Sequence, residues 1–248
     1  MVSKNQIKLV KSLELKKNRK REGLFVAEGP KVVGDLLRAG FCPHTIFSTK
    51  DEEYVKDILN VTQLIADEEL RKISFLQHPQ QVLGIFRIPD EKTSEGTPFT
   101  NGLALALDGV QDPGNVGTII RIADWFGIDT IYCSPDTADA YSPKVVQATM
   151  GSLAHVHIIY CNLVDLLSKA GCPVYGTLLD GEDIYNQNLT QNGIIVMGNE
   201  GNGISEAVRP LVTNRLLIPN FHENAETVES LNVAIATAIT CSEFRRRR

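Results

Sequence analysis

Apolar residues recur along this chain in two rhythms that alternate: short runs typical of buried strands, and 3.6-residue spacings typical of amphipathic helices. Near the N-terminus Ile7, Val10 and Leu13, with Leu9, fall at helical spacing on a strongly basic background. LFVAEG (24–29) then reads as a strand leading into a helix over Pro30–Ala39, with Pro at its first turn and Gly40 as its stop. HTIFST (44–49), YVKDILN (54–60), TQLIAD (62–67), DEELRKIS (67–74) and QQVLGIFRI (80–88) continue the alternation, with Asp67 expected as an N-cap. Residues 1–88 therefore predict a small α/β domain of about the least size that folds alone. Pro89–Asn101 is rich in charge and turn formers and reads as an interdomain linker, 89–101.

Residues 102–248 repeat the alternation with longer strands: LALALDG, TIYCS, HVHIIYC, PVYGTLL, GIIVMGN and RLLIPN. Helices are expected to start near Asn115, Ser142, Leu163, Ile204 and Ser230. Apolar strands alternating with helices imply a parallel sheet covered on both faces, an α/β domain. Three stretches, Asp108–Ile128, Ile194–Ser205 and Leu217–Ile239, run from an apolar segment into a loop rich in Gly, Pro or Asn and on towards a helix. Three such loops at the ends of neighbouring strands can share one pocket, where open α/β sheets bind ligands.

Composition narrows the function classes. No apolar run approaches the roughly 20 residues that span a bilayer, and the N-terminus is charged where a secretory signal carries its apolar core. Five scattered cysteines, never spaced C-x-x-C, read as reduced thiols of a cytoplasmic protein, with neither disulfides nor zinc. His155 and His157 share a strand face without a third ligand nearby, so no metal site is expected. No Ser-His-Asp order, P-loop or deaminase pattern is present. The net charge of −5 is segregated: residues 1–24 hold eight Lys and Arg against two Glu, and four arginines end the chain. Such segregation can give an acidic protein a local footprint for RNA, although on its own it reads more readily as a solvated helix face and a frayed tail.

Each loop also has a bland reading. In the first, Val116, Ile119, Ile120 and Ala123 should face the core while Arg121 and Asp124 project from the polar side, and Asn115 sits where an N-cap would be. That describes an ordinary capped surface helix. In the second, Gly198-Asn199-Glu200-Gly201-Asn202-Gly203 lacks the Rossmann spacing and would serve equally as a glycine turn. In the third, Ser230 is a natural N-cap for a helix that is apolar or small all round, hence one buried on all sides.

Together, the N-x-G-x-x-x-R core of Asn115, Gly117 and Arg121, the Gly198–Gly203 loop, and Ile218-Pro219 followed by Ser230-Leu231-Asn232 resemble motifs 1, 2 and 3 of the SpoU (TrmH) family of RNA ribose 2′-O-methyltransferases. The resemblance extends over essentially the whole chain. It implies a C-terminal domain with the deep trefoil knot of the SPOUT superfamily, preceded by a small α/β domain like those of ribosomal RNA-binding proteins. It implies S-adenosylmethionine as cofactor, held by Thr177, Leu178, Gly198, Asn199, Glu200, Gly203, Ile218, Leu231 and Asn232. It implies catalytic roles for Arg121, Asn115, Glu200, Ser230 and Asn232, a homodimer, no metal, and RNA as substrate, ribosomal favoured over transfer RNA. One departure is the loop NFHENAETVE, longer than the family's and without its glycine. A non-catalytic RNA-binding assembly factor and a small-molecule methyltransferase are the rival readings. The joint presence of the five catalytic residues opposes the first, and the basic arm with its extra domain opposes the second.

Overall fold

A computed structural model describes residues 1–50, 60–89, 102–221 and 230–246. The segment expected over 54–60 (Asn60 excepted), nearly all of the 89–101 linker and most of the long third loop lie outside the described residues. In chain order the first elements are α1 (Lys4–Ser12), α2 (Lys16–Glu22), β1 (Leu24–Glu28), α3 (Pro30–Arg38), β2 (Pro43–Ser48), β3 (Thr62–Leu64), α4 (Asp67–Ile73) and β4 (Val82–Arg87). There follow β5 (Leu103–Asp108), α5 (Pro113–Trp125), β6 (Thr130–Cys133), α6 (Pro143–Ala148), β7 (His157–Tyr160) and α7 (Leu163–Ser168). The chain ends with β8 (Val174–Asp183), β9 (Gly193–Gly198), β10 (Asn214–Leu217) and α8 (Val233–Arg246). These elements form two compact units, Met1–Asp90 with Asp139–His155, and Glu91–Ala138 with Val156–Arg248.

In the first unit a mixed sheet runs in the order β1-β4-β2-β3, with β4 antiparallel to both neighbours and β2 parallel to β3. Val10 and Leu13 of the basic arm, Val26, Phe47, Leu70, Ile73, Leu83 and Ile85 make one core cluster. On Phe25 converge Phe86, stacked at 5.8 Å, and Tyr141 of the late segment at 5.1 Å. Asp67 is the first residue of α4 rather than its cap. The Glu69 carboxylate reaches back instead, accepting the Ala66 N–H at 3.2 Å, so a residue inside the turn does the capping work.

The basic arm is not uniformly solvated. Arg19, side chain 3% exposed, pairs with Asp139 at 2.6 Å and donates to the carbonyls of Leu13 and Glu14, both at 2.7 Å. It closes the turn between α1 and α2, while the neighbouring Lys16, Lys17, Lys20 and Arg21 are exposed.

In the second unit six parallel strands run in the order β10-β8-β9-β5-β6-β7. The central strands β5 and β9 are buried at every residue, as expected when helices cover both faces of a parallel sheet. One face carries α5 and α8, packed on each other. On the other face Leu163 and Leu167 of α7 join Val208, Val212 and Ala106 in one cluster.

Three expectations need correction here. No helix starts at Ile204: the Asp108 carboxylate takes the Ser205 N–H at 2.7 Å, and only a three-residue 3-10 turn, Arg209–Leu211, follows. Pro210 within that turn lacks the N–H an α-helix would need to continue. Helix α8 is not buried all round, since Leu231 just before it and Ile235 within it are 51% and 53% exposed. It turns Thr237 and Thr240 inward because their hydroxyls bond back to the carbonyls of Val233 and Ala236. Its start lies at Val233 rather than at Ser230. Among the described residues no helix is long and apolar enough to cross a membrane, and no cluster of His, Cys, Asp and Glu could hold a metal.

Candidate active site

Described residues of the three motifs meet beyond the carboxyl ends of β5 and β9. Asp112, not Asn115, caps α5: its side chain accepts the Asn115 N–H at 2.9 Å, and Pro113 fills the first helical position. Proline there is preset for a helix and lacks only an N–H that has no partner anyway. Beginning the helix this early puts Asn115 in its first turn and frees its side chain for other partners.

Those partners are the other two motifs. Asn115 Nδ2 donates to Glu200 Oε1 at 3.0 Å, and Asn232 Nδ2 donates to Asn115 Oδ1 at 2.9 Å. Glu200 also accepts the backbone N–H groups of Asp112 (3.1 Å) and Gln111 (3.2 Å). Asn232 in turn caps α8, its Oδ1 accepting the N–H groups of Ala234 (2.9 Å) and Ile235 (3.3 Å). One continuous path thus runs from the second motif through the first to the third. Both ends of the Asn115 amide are committed, which fixes its orientation.

Burial would push the Glu200 carboxyl up. Hydrogen bonds from the Asn115 amide and from backbone N–H groups outweigh it and hold the group below its usual range. Glu200 is therefore a carboxylate at neutral pH and an acceptor only, suited to clamping the loop and not to moving protons.

The second loop is closed by its own residues and anchored to the first. Asn199 Nδ2 holds the Gly109 carbonyl at 2.7 Å, while its Oδ1 accepts from Gly201 (2.9 Å) and Asn202 (3.0 Å). Paired N–H···O bonds of 2.9 Å in each direction join Asn199 to Gly203. A Cβ at Gly198 would lie 2.2 Å from the Gly203 carbonyl carbon, so the fold-back admits only glycine there.

Thr177 and Leu178 begin a break in the sheet. Parallel register pairs Tyr175 and Gly176 with β10 and then resumes only at Glu182, leaving Thr177–Gly181 as an insert. The Thr177 hydroxyl meets Met197 Sδ at 3.7 Å, Leu178 is nearly buried, Ile218 half-buried and Leu231 exposed. Apolar side chains beside a backbone insert and a tight glycine loop suit an adenosine carrying an amino-acid tail, which needs apolar walls and backbone partners rather than metal ligands.

Two expected site residues stand apart from this network. Arg121, six residues beyond Asn115 on α5, is exposed and meets no hydrogen-bond or ion-pair partner among the described residues. Ser230 is exposed and does not cap α8, a role taken by Asn232. Asp112, Asp180, Arg209 and Arg215 entered no sequence expectation. For Asp112 the signal was present, an Asp directly before Pro and three residues before Asn115.

Comparison with known proteins gives this geometry its class. Residues 102–242 match the SpoU rRNA Methylase family, and residues 4–84 match the MRM3-like substrate binding domain. The chain belongs to the SpoU family, and it is an S-adenosylmethionine-dependent RNA 2′-O-methyltransferase. It is 32% identical over 251 residues to the 23S rRNA (guanosine(2553)-2′-O)-methyltransferase RlmP of Bacillus subtilis, covering 98% of this chain and 97% of that one. A solved putative RNA methyltransferase of the TrmH family from Porphyromonas gingivalis is similar at 43% identity and TM-score 0.86, with both chains fully covered. The AdoMet-bound rRNA methyltransferase of Sinorhizobium meliloti is 30% identical with TM-score 0.89, covering 100% of this chain and 97% of that one.

Proposed function

We propose that this enzyme methylates a ribose 2′-hydroxyl of structured ribosomal RNA, with Asn115, Glu200 and Asn232 building the site and Arg121 serving the reacting hydroxyl. The observation that carries it is the Glu200–Asn115–Asn232 path, which ties all three loops into one preorganised wall. The ribosomal substrate is supported by relatives whose names specify 23S rRNA and by the separate substrate-binding domain.

Bound S-adenosylmethionine supplies a sulfonium methyl whose leaving thioether is neutral, so the chain's residues need only align and deprotonate the hydroxyl. Thr177, Leu178, Ile218 and Leu231 would flank the cofactor, with Gly198, Asn199 and Gly203 as backbone wall. Arginine is too weak an acid to act as a base. Arg121 instead holds an RNA phosphate beside the hydroxyl, and that phosphate takes or relays the proton. Its guanidinium, exposed and without a partner among the described residues, suits the role. Ser230 and Asn232 orient the ribose.

The same reading carries four finer proposals. The functional division is 1–88 for RNA, 89–101 as linker and 102–248 for catalysis. The C-terminal domain carries the deep trefoil knot, a reading supported by its match to the SpoU family. Two copies pair through the exposed apolar residues Trp125, Leu231 and Ile235 of the α5–α8 face. The enzyme works in the cytoplasm, where its five free cysteines stay reduced. Mapping 2′-O-methyl positions in RNA from cells with and without the gene tests the substrate. One ribosomal position should disappear, and loss confined to transfer RNA would refute the ribosomal assignment.

A further inference from the structure

The Thr177–Gly181 insert is held in place by a feature on its outer side. Asp180 Oδ2 accepts Arg209 Nη2 at 2.5 Å and Arg215 Nη1 at 3.0 Å. Each of the three residues stands on a different segment that carries candidate cofactor residues. Asp180 lies in the insert two residues beyond Leu178, and Arg209 opens the 3-10 turn that follows the Gly198–Gly203 loop. Arg215 lies on β10, three residues before Ile218. Beneath the clamp the chain has no slack: a Cβ at Gly181 would fall 2.5 Å from the Leu216 carbonyl carbon. The two guanidiniums, Arg209 first, hold the Asp180 carboxyl below its usual range, so it is charged throughout the working pH range.

We propose that Asp180 is a positioning residue for the cofactor, an ionic clamp that locks the insert, the glycine loop and the strand leading to Ile218 into their binding arrangement. The proposal rests on the assignment of Thr177, Leu178 and Ile218 to the cofactor. All three side chains of the clamp are between 39% and 49% exposed. Exposed ion pairs add little to the stability of a well-buried sheet. A preorganised loop, however, spares a ligand the ordering cost that binding would otherwise incur. The clamp therefore acts on cofactor affinity and not on folding, and salt weakens it.

The test is calorimetric titration of S-adenosylmethionine into the full-length wild type, Asp180→Asn, Arg209→Gln and Arg215→Gln at 50 and 500 mM NaCl, with melting temperatures measured in parallel. Asp180→Asn should raise Kd by about 3–5-fold at low salt, where fivefold corresponds to about 1 kcal/mol. The gap to wild type should narrow at high salt, and the melting temperature should stay within ~2 °C. Each arginine variant should give part of the effect, and neither more than Asp180→Asn, which breaks both pairs. If Asp180→Asn fails to fold, the arginine variants decide. A Kd within twofold of wild type, or a gap independent of salt, overturns the clamp while leaving the cofactor assignment standing. Absence of binding by the wild type overturns both.

Discussion

Asn232 and Asn115 meet through a 2.9 Å amide–amide hydrogen bond although 117 residues separate them in the chain. Asn232 caps α8 with its oxygen and spends its NH₂ on Asn115, whose own NH₂ goes to Glu200. Orientation at each amide is set by the next, so residues of the three motifs are joined by one chain of hydrogen bonds.

Asn115 should therefore tolerate no charge. Asn115→Ala removes two bonds and should lower single-turnover methyl transfer on the order of 10-fold or more, as expected when positioning is lost. Asn115→Asp sets a second carboxylate against Glu200. Like charges at that distance raise one of the two pKa values. Its activity should fall below that of Asn115→Ala at pH 8 and recover partly towards pH 5.5. A pH profile parallel to wild type would show that the two side chains are not in contact.

Glu200 has a depressed pKa, so its contribution is complete above the ordinary value of 4.5 and is lost only as pH falls through the lower folded value. Cofactor affinity should show no Glu200-dependent change between pH 8 and pH 5, checked by titrating wild type and Glu200→Gln across that range. A wild-type drop near pH 6.5 that Glu200→Gln abolishes would mean the group titrates there and is not clamped.

Arg19 and its neighbouring lysines should separate in experiment. Arg19→Ala leaves Asp139 and two carbonyls without their buried partner, a class of change that costs about 3–5 kcal/mol. Replacing Lys16, Lys17 and Lys20 with Ala should leave stability nearly unchanged but flatten the salt dependence of RNA binding, each lost phosphate contact removing roughly 0.7–0.9 of slope. Urea unfolding and filter binding on both variants settle the division.

Glu28 is buried, and burial pushes its carboxyl up against the pull of the Ser74 hydroxyl, the Phe75 N–H (2.8 Å) and nearby Lys11. A raised folded pKa means that its contribution is full below the unfolded value and fades as pH rises through the folded one. Glu28→Gln should match or exceed wild-type stability at pH 8, whereas Glu28→Ala, which strands two donors, should lose about 1–3 kcal/mol. Thermal melts at pH 5 and pH 8 distinguish them.

Much of this was legible in the sequence. All six strands of the second unit fall where apolar runs stand, because central parallel strands need unbroken apolar sequence. Asn115, Glu200 and Asn232 could be named from their motifs, but their mutual bonds could not, since a contact across 117 residues leaves no local pattern. Helix ends were the weak point. Asn115, Ser230 and Asp67 are all good capping residues, yet Asp112, Asn232 and the Glu69 carboxylate cap those helices. Several eligible side chains lay within one turn, and tertiary partners decided among them. The exposed side of α8 was not legible because it is apolar: Ile235 faces outward, while Thr237 and Thr240 turn inward with their hydroxyls bonded to their own helix.

The most direct measurement is single-turnover methyl transfer to ribosomal RNA by Arg121→Ala, with RNA and S-adenosylmethionine saturating and the product ribose identified by mass spectrometry. Wild type should place the methyl on a 2′-oxygen. Arg121→Ala, which opens no cavity because the side chain is exposed, should keep its fold and its cofactor affinity while transfer falls on the order of 10²-fold or more. Lys at this position should rescue poorly, because an ammonium lacks the planar two-point grip on phosphate. Near-normal transfer at saturation with only a raised KM for RNA, or a methyl found on a base, would contradict the account.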